Sequence, residues 1–252
     1  MMTPALTIQP YPARATPLRD VLQVVAALGY DSLQPYTPLI LDRNLELTGL
    51  LQEFKLAVHS VMFELSDLET DFRTLTDTAK AMGSDIITVP HISPGEVVTT
   101  AEDWERLAER MASISVKLRG EGIRLSWANH DIEYYPFADG RRPIDIMLAH
   151  DEIDYELVVG WLASIGKDTT AEVEKYGDRI RVLRIRDWDS AKRQWTSLGA
   201  GDVGLSSLEV SKRTMPNLVQ IVVDHDLTDD FPEFARLSLP LAKRIAHDWA
   251  KS

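Results

Sequence analysis

The regular alternation of short apolar or β-branched runs with amphipathic segments constrains the fold of this 252-residue chain more than any other feature. Eight runs occur, and the segments between them carry apolar residues three and four positions apart, which is typical of parallel βα units. The predicted strands are 6–10, 32–35, 56–61, 85–90, 123–127, 154–159, 181–185 and 218–223. The predicted helices include 17–28, 68–82, 100–118, 169–176 and 234–249.

Eight βα units in a chain of this length favour a (β/α)8 TIM barrel over an open doubly wound sheet, which commonly has five or six strands. No linker, low-complexity tract or change in composition divides the chain, so we expect one barrel domain over residues 1–252. Gly29, Gly83 and Gly122 each precede a predicted strand, where glycine is expected to cap the preceding helix in the left-handed conformation.

Charge and cysteine content exclude several classes of function. The 27 basic and 39 acidic side chains give a net charge of −12, which disfavours nucleic acids and anionic membrane surfaces as partners. The chain has no cysteine, so thiol nucleophiles, disulfides and thiolate zinc sites are excluded. Because the N-terminal segment lacks the pattern of a signal peptide and no apolar run approaches bilayer length, we expect a cytoplasmic protein.

A barrel of this kind carries its chemistry at the C-terminal ends of the strands. The polar residues that follow the eight runs are therefore expected to form one rim. They are Gln9, Gln34, Tyr36, His59, His91, Asn129, His130, Arg184, Arg186, Asp187, Asp224, His225 and Asp226.

The strongest local motif is residues 126–134, where the fifth strand leads directly into Asn129, His130, Asp131 and Glu133. Acid, base and amide groups this close together suit proton transfer and the binding of sugar hydroxyls. The alternative is a polar turn whose side chains satisfy backbone donors. We favour the functional interpretation because the motif lies at a strand end.

Two other strands end in charged residues. In residues 181–186, Arg184 and Arg186 alternate with apolar residues and so share one face, where they need a carboxylate partner or an anionic ligand. At the last strand, Asp224 and Asp226 flank His225, which suits acid/base chemistry, a cation site or a solvated loop. At both places the structural and the functional interpretations stay open.

Residues 199–204 match the G-x-G-x-x-G pattern, with Asp224 at a suitable distance for a dinucleotide fingerprint. The preceding residues 192–198 are too polar for a confident buried strand, so we do not favour nicotinamide binding. A glycine-rich loop after the seventh strand is still expected to be able to cradle a phosphate.

The strand ends together resemble those of the sugar phosphate isomerase/epimerase family, the xylose isomerase-like TIM barrels. The similarity covers nearly the whole chain. Gln9 and Tyr11 resemble the family's opening Q-x-Y, and residues 29–34 resemble its second strand, G-Y-x-x-V-E. His59 matches the histidine that ends the family's third strand. Residues 127–134, 155–161, 184–187, 198–201 and 222–226 resemble Y-H-N-H-D-F-E-F, F-E-L-D-V-Y-W, H-L-K-D, L-G-x-G and I-V-E-Q-D.

This resemblance implies a divalent manganese, magnesium or zinc ion held by carboxylates and one histidine. Here the aspartate expected near Val158 is apolar, Arg184 replaces the histidine, and the terminal glutamate is shortened to Asp224. The ligand from the fifth strand is either lost at Ala128 or supplied by Glu133, and Asp154 or Glu156 is a further substitute. Because a guanidinium repels a cation, we predict that the usual metal site is absent or weakened and expect no cofactor.

We therefore predict an isomerase, an epimerase or a related dehydratase that acts on a small sugar, sugar phosphate or polyol by proton transfer next to a carbonyl. The predicted acid/base residues are His130, Glu133 and Asp224, and the predicted substrate-binding residues are His59, Asn129, Trp161, Arg184 and Arg186. The alternative is an inactive relative that binds carbohydrate or another subunit. Apurinic endonucleases share this barrel, but their metal cluster and DNA surface conflict with the charge of −12. The sequence leaves open whether the protein forms a homo-oligomer and whether the substrate carries a phosphate.

Overall fold

Eight parallel strands form the central sheet of the computed structural model, which describes residues 3–205, 208 and 210–252. Positions 1, 2, 206, 207 and 209 of the predicted domain lie outside the described residues. The strands are β1 (Ala5–Ile8), β2 (Ser32–Leu33), β3 (Ser60–Met62), β4 (Ile86–Val89), β5 (Arg124–Ala128), β6 (Ile153–Val158), β7 (Ile180–Ile185), β8 (Asp187–Asp189), β9 (Gln194–Thr196) and β10 (Gln220–Val223). Of these, β8 and β9 form a separate antiparallel hairpin.

The sheet order is β2-β1-β10-β7-β6-β5-β4-β3, so the chain runs around the sheet in sequence and returns from β10 to β1. Parallel bridges from Ser32 to Ala57 and from Tyr36 to Met62 join the two end strands. The predicted single-domain TIM barrel is therefore confirmed. The predicted third strand, 56–61, begins too early, because β3 covers Ser60–Met62. Of the residues before β3, Ala57 forms an isolated bridge to Ser32.

In the described residues, a helix lies between each pair of consecutive barrel strands except β7 and β10, which the β8–β9 hairpin separates, and the helices pack on the outside of the sheet. They are α1 (Leu18–Leu28), α2 (Thr37–Phe54), α3 (Leu65–Thr70), α4 (Phe72–Ala81), α5 (Ala101–Gly120), α6 (Pro143–Met147), α7 (Val159–Ser164), α8 (Thr169–Tyr176) and α9 (Phe231–Lys251). The five predicted helical segments correspond to α1, α3 with α4, α5, α8 and α9. No helix of the described residues is long and apolar enough to cross a membrane.

Local sequence signals fix several helix ends. Thr100 begins α5 with a reciprocal cap, because its hydroxyl accepts from the Asp103 N–H while the Asp103 carboxylate accepts from the Thr100 N–H. Gly29 ends α1 with φ of 86°, and Gly83 and Gly122 both have φ of 80°. The predicted left-handed glycines are thereby confirmed.

The inner face of the barrel is largely polar, whereas its outer face belongs to the apolar core. The Thr7 hydroxyl lies 2.5 Å from the Ser32 hydroxyl and donates to Gln220 Oε1 at 3.0 Å. Gln34 donates to the Ser60 hydroxyl at 2.7 Å, and all five side chains are buried. Since buried polar groups need partners, these side chains bond to one another across the barrel. This network supports the charged residues that lie nearer the C-terminal ends of the strands.

Candidate functional site

A cavity of about 530 Å³ opens at the C-terminal ends of the barrel strands, where the fold is expected to carry its chemistry. Six of the eight predicted site residues line it: Asn129, His130, Trp161, Arg184, Arg186 and Asp224. The other lining residues include Gln9, Tyr11, Tyr36, Met62, Glu64, His91, Ala128, Val158 and Asp226. The residues following different strands therefore meet in one cavity, as the rim prediction required.

His59 lies away from the cavity wall. It directly precedes β3, and its carbonyl accepts from the Ser84 hydroxyl at 3.2 Å just before β4. The expectation that His59 ends the third strand is therefore wrong. Met62 and Glu64, which close β3 and follow it, occupy the cavity position instead.

A chain of alternating charges, buried except at Asp226, crosses the cavity floor, and we call it the ion-pair chain (Glu156, Arg184, Asp224, Arg186 and Asp226). Arg184 Nε donates to Glu156 Oε1 at 2.7 Å, and Arg184 Nη1 donates to Asp224 Oδ2 at 3.2 Å. Asp224 Oδ2 also accepts from Arg186, whose other nitrogen, Nη1, donates to Asp226 Oδ2 at 2.5 Å. Each arginine thus contacts two carboxylates.

The ion-pair chain shows that Arg184 and Arg186 have carboxylate partners within the protein, one of the two alternatives that the sequence left open. Burial alone would raise the pKa of Asp224, but Arg186 and Arg184 outweigh it and hold that pKa at about 2. Arg184 is paired with Asp224 and with Glu156, not with Asp187. The two guanidinium charges are consequently balanced within the protein, so neither requires an anionic ligand.

Glu133 lies behind the turn that follows β5 and is only 1% exposed. It accepts from the Trp127 indole at 3.2 Å and from the His130 backbone N–H at 2.9 Å. Burial raises the pKa of Glu133 to about 7, although these hydrogen bonds oppose the shift. The structure therefore places Glu133 under His130, outside the cavity lining.

Asn129 is fully buried and joins the ends of two strands. Its Oδ1 accepts from the Val158 N–H at 2.8 Å and from the Tyr155 hydroxyl at 2.9 Å, while its Nδ2 donates to the Val158 carbonyl at 3.2 Å. Its amide is thus largely used in fixing β5 against β6. Asn129 therefore satisfies a backbone donor of the neighbouring strand, and it also lies in the cavity wall.

His130 stands in the cavity between His91 and Trp161, with ring centroids 6.3 Å and 5.3 Å away. Burial, supported by the charge of Arg186, lowers the pKa of His130 to about 4. The imidazole is therefore neutral at neutral pH, where it can accept a proton or a hydrogen bond.

Glu64 and His91 form a second acid/base pair that the sequence analysis did not identify. His91 Nε2 lies 3.3 Å from Glu64 Oε1, and His91 Nδ1 lies 2.9 Å from the Ile92 carbonyl oxygen. A carbonyl oxygen only accepts, so Nδ1 is the nitrogen that carries a proton in this contact, and Nε2 is the nitrogen that faces the Glu64 carboxyl. Burial raises the pKa of Glu64. Extending the third run beyond residue 61 would have placed Glu64 on the rim.

The glycine-rich segment after β9 encloses an internal carboxylate. Asp187 accepts backbone N–H groups from Gly199 at 2.7 Å, Gly201 at 3.1 Å and Val203 at 3.3 Å. A Cβ on Gly201 would collide with this carboxylate, which accounts for the glycine. The donors that were expected to cradle a phosphate bind Asp187 instead, so the phosphate prediction for this loop is wrong.

The four strand-end positions where the resemblance implies metal ligands all face the cavity: Ala128, Val158, Arg184 and Asp224. Glu156 is bonded to Arg184, and Asp154 accepts from Arg124 at 2.6 Å near the N-terminal ends of the strands. Within residues 3–205, 208 and 210–252, no group of three His, Cys, Asp or Glu side chains could hold a metal ion.

Comparison with known proteins shows the fold. No family model and no curated protein matches the sequence. A sugar phosphate isomerase/epimerase from Parabacteroides distasonis ATCC 8503 superposes with a TM-score of 0.76, at 15% identity over 98% of this chain and 96% of the other. D-allulose 3-epimerase from Methylomonas sp., solved with D-allulose, gives a TM-score of 0.71, at 16% identity over 97% and 98% of the two chains.

A xylose isomerase-like TIM barrel protein from Mycobacterium smegmatis, solved in complex with magnesium, gives a TM-score of 0.70 at 16% identity, covering 98% and 99% of the two chains. All three are full-length matches. The resemblance noted in the sequence is therefore confirmed at the level of structure: the chain is similar to sugar phosphate isomerases/epimerases and has the xylose isomerase-like TIM barrel fold.

Proposed function

We propose that this barrel acts on a small carbohydrate or polyol by proton transfer next to a carbonyl, as an isomerase, an epimerase or a related dehydratase. The observation that carries the proposal is the cavity itself, in which two histidines and three carboxyl groups lie beside aromatic and amide side chains. Proton donors and acceptors suit the chemistry, and aromatic rings with hydrogen-bonding groups suit a sugar. The folds of the isomerase and epimerase neighbours support the same class.

The acid/base role is assigned to Glu64 with His91 and to His130. We assign proton donation to the Glu64–His91 pair and proton acceptance to the neutral His130. Asp224 is held ionised between two guanidinium groups, so we assign it to positioning Arg186. Glu133 likewise orients the turn that carries His130. Asn129 and Trp161 keep their proposed roles in the substrate-binding wall.

The proposed chemistry does not use the metal of the related proteins. Magnesium is present in one structural neighbour and zinc in another. In this chain the corresponding positions offer one carboxylate, Asp224, and its oxygen Oδ2 already accepts from Arg184 and Arg186. Two guanidinium groups at this place do not fit a divalent cation. Their remaining N–H donors are assigned to the substrate oxygen.

The charge balance favours an unphosphorylated substrate. Three cations line the cavity, Arg14, Arg184 and Arg186, and Asp224 and Asp226 line it as carboxylates. Glu156 adds a further negative charge behind Arg184. Because no positive charge is left over, a phosphate dianion would have no counter-charge here.

The test is exchange of a substrate C–H proton with solvent. D-Allulose, D-fructose, D-glucose and inositol ketones are incubated with the protein in D2O, and deuterium next to the carbonyl is followed by NMR. We expect incorporation with at least one of them, and a loss of about 100-fold or more in His91→Gln. His247→Gln, on the exposed side of α9, is the matched control and should keep the wild-type rate.

The second candidate is a protein that binds carbohydrate or another subunit and does not catalyse a reaction. The ion-pair chain favours it, because Arg184, at a position where the resemblance implies a metal ligand, and Arg186 are both paired without a substrate. Sugar binding without deuterium incorporation for any compound would support this candidate and contradict the enzyme. A cytoplasmic location remains part of either proposal.

A further inference from the structure

The β8–β9 hairpin is an addition to the barrel that brings tryptophans to the rim of the cavity. It carries Trp188 and Trp195 as a directly opposed pair, with ring centroids 4.7 Å apart. Trp161, from α7, packs edge-to-face on Trp195 at 5.0 Å. The Asp187 carboxylate, bonded to the backbone of the following loop, fixes the base of the hairpin. The three rings form what we call the tryptophan groove (Trp161, Trp188 and Trp195).

The tryptophan groove encloses about 700 Å³ next to the cavity. Trp161 and Leu227 line both spaces, so the groove continues the cavity outward. Its remaining wall includes the amide of Gln194 and the hydroxyls of Thr196 and Thr228. Aromatic surface edged by hydroxyl and amide groups is the chemistry that contacts the C–H face and the hydroxyls of a sugar ring.

Arg186 connects the two spaces physically. It lines the cavity and is 3% exposed, and its guanidinium carbon lies 4.7 Å from the Trp195 ring centroid and 5.4 Å from that of Trp161. Asp226 Oδ2 accepts from Nη1 of the same guanidinium at 2.5 Å. Nε of Arg186 is buried with no hydrogen-bond partner among the described residues. A cation stacked in this way fixes the two rings relative to the cavity floor.

We propose that the tryptophan groove is a second subsite, which holds a sugar ring glycosidically linked to the ring in the cavity. The inference rests on the proposed carbohydrate function of the cavity. A disaccharide would therefore bind more tightly than its component monosaccharide, because the second ring stacks on indole surface that a single ring does not reach.

The experiment follows the indole N–H signals by ¹⁵N NMR, assigned with Trp161→Phe, Trp188→Phe and Trp195→Phe. The probes are D-glucose, D-fructose and D-allulose, and the disaccharides cellobiose, maltose and sucrose. We expect monosaccharides to shift the Trp161 signal alone. At least one disaccharide should also shift the Trp188 and Trp195 signals and bind with a Kd about tenfold lower, a gain typical of one well-packed aromatic contact.

Variants separate recognition from folding. Trp188→Ala should bring the ratio of monosaccharide to disaccharide Kd to about one, while Trp188→Phe, which keeps an aromatic face, should retain part of the gain. Tyr135→Ala, an exposed aromatic outside both spaces, is the matched control and should keep the wild-type ratio.

The two proposals fail in different ways. If monosaccharides shift Trp161 but no disaccharide shifts Trp188 or binds more tightly, the subsite is overturned and the cavity assignment stands. A Trp188→Ala variant that folds and keeps the tenfold preference also overturns the subsite. If no probe shifts Trp161, the carbohydrate function of the cavity falls, and the subsite falls with it.

Discussion

Each end of the barrel has a buried carboxylate that pairs with two arginines, but the exposure of those arginines differs between the two ends. Near the N-terminal ends of the strands, Asp154 is 1% exposed and pairs with Arg124 at 2.6 Å and with Arg181 at 3.5 Å, and these arginines keep 34% and 24% of their side chains exposed. At the cavity, Asp224 pairs with arginines that are 7% and 4% exposed.

This difference separates a structural ion pair from one that forms part of a site. Solvent can still reach Arg124 and Arg181, so loss of one contact there can be compensated by water. The side chains of Arg184 and Arg186 are almost completely removed from water, and the buried Asp224 that they share depends on them for its charge. The loss of stability on breaking an ion pair should therefore be smallest at the surface, larger at the N-terminal ends of the strands, which we call the lower end, and largest at the cavity.

Removing the central arginine of the cavity should have the largest effect. Arg184→Met leaves Glu156 and Asp224 buried without their shared partner, and we expect the free energy of unfolding to fall by about 3–5 kcal/mol. Urea denaturation measures this loss. The double variant Arg184→Met/Glu156→Gln should recover a substantial part, because it removes one unpaired charge. A double variant no more stable than the single one would contradict this account of the cavity.

The pH dependence of stability should show two opposite contributions near the cavity. His130 has a pKa of about 4 in the fold against an ordinary 6.5, so its contribution is lost as the pH falls through that window. Glu133 has a pKa of about 7 against 4.5, so its contribution is lost as the pH rises. Between pH 4.5 and 6.5 the two slopes, each about 1.4 kcal/mol per pH unit, should nearly cancel.

Single substitutions should expose each slope in urea denaturation at several pH values. In Glu133→Gln the His130 contribution remains, and stability should rise with pH across this window. In His130→Gln it should fall with pH because Glu133 must lose its proton. Equal pH profiles in the two variants would rule out the opposed shifts.

Arg124→Met at the lower end should have a smaller effect than the loss of Arg184. Asp154 keeps Arg181, and Arg124 is one third exposed, so with allowance for solvent screening we expect a loss of about 1–2 kcal/mol. The same denaturation series measures it. A loss as large as that of Arg184→Met would remove the distinction between the two ends.

The surface pair of Arg19 and Glu53 should set the lower limit. Both side chains are about half exposed, and their contact gives little net stabilisation in water. We expect the denaturation midpoint of Arg19→Ala to equal that of the wild type within error. A clear drop would show that burial does not rank these pairs.

The fold was predictable because the alternation of strands and helices depends on local pattern and on burial against one sheet. The eight predicted runs correspond to the eight barrel strands, with an early start at the third. That start misplaced His59 and hid Glu64, because a strand of three residues carries too little sequence to fix where it ends. Helix α2, which is kinked at Arg43, was implied by the βα alternation, but the sequence analysis gave no bounds for it.

The site was only partly predictable because its contacts join residues far apart in sequence. Strand ends identified the cavity wall, including Arg184 and Asp224. No sequence pattern could show that Gln34 and Glu156 would satisfy Arg184 from other strands. The hydrogen-bond acceptor of the Gly199 and Gly201 N–H groups was equally unpredictable. An internal aspartate and a bound phosphate both accept backbone N–H groups from a glycine-rich loop, so the sequence does not distinguish them.

The join between β2 and β3 is paired differently from the rest of the barrel, by isolated bridges and not by a continuous ladder. There the backbone bonds are Leu33 N–H to the Ala57 carbonyl, Ala57 N–H to Asp31 and Met62 N–H to Pro35. Tyr36 and Met62, which form one of its bridges, line the cavity. Arg184, which comes from the continuously paired side, reaches across to donate to Gln34 at 2.6 Å and to contact Met62 Sδ at 3.2 Å. The ion-pair chain therefore ties both strands of this join to the cavity floor.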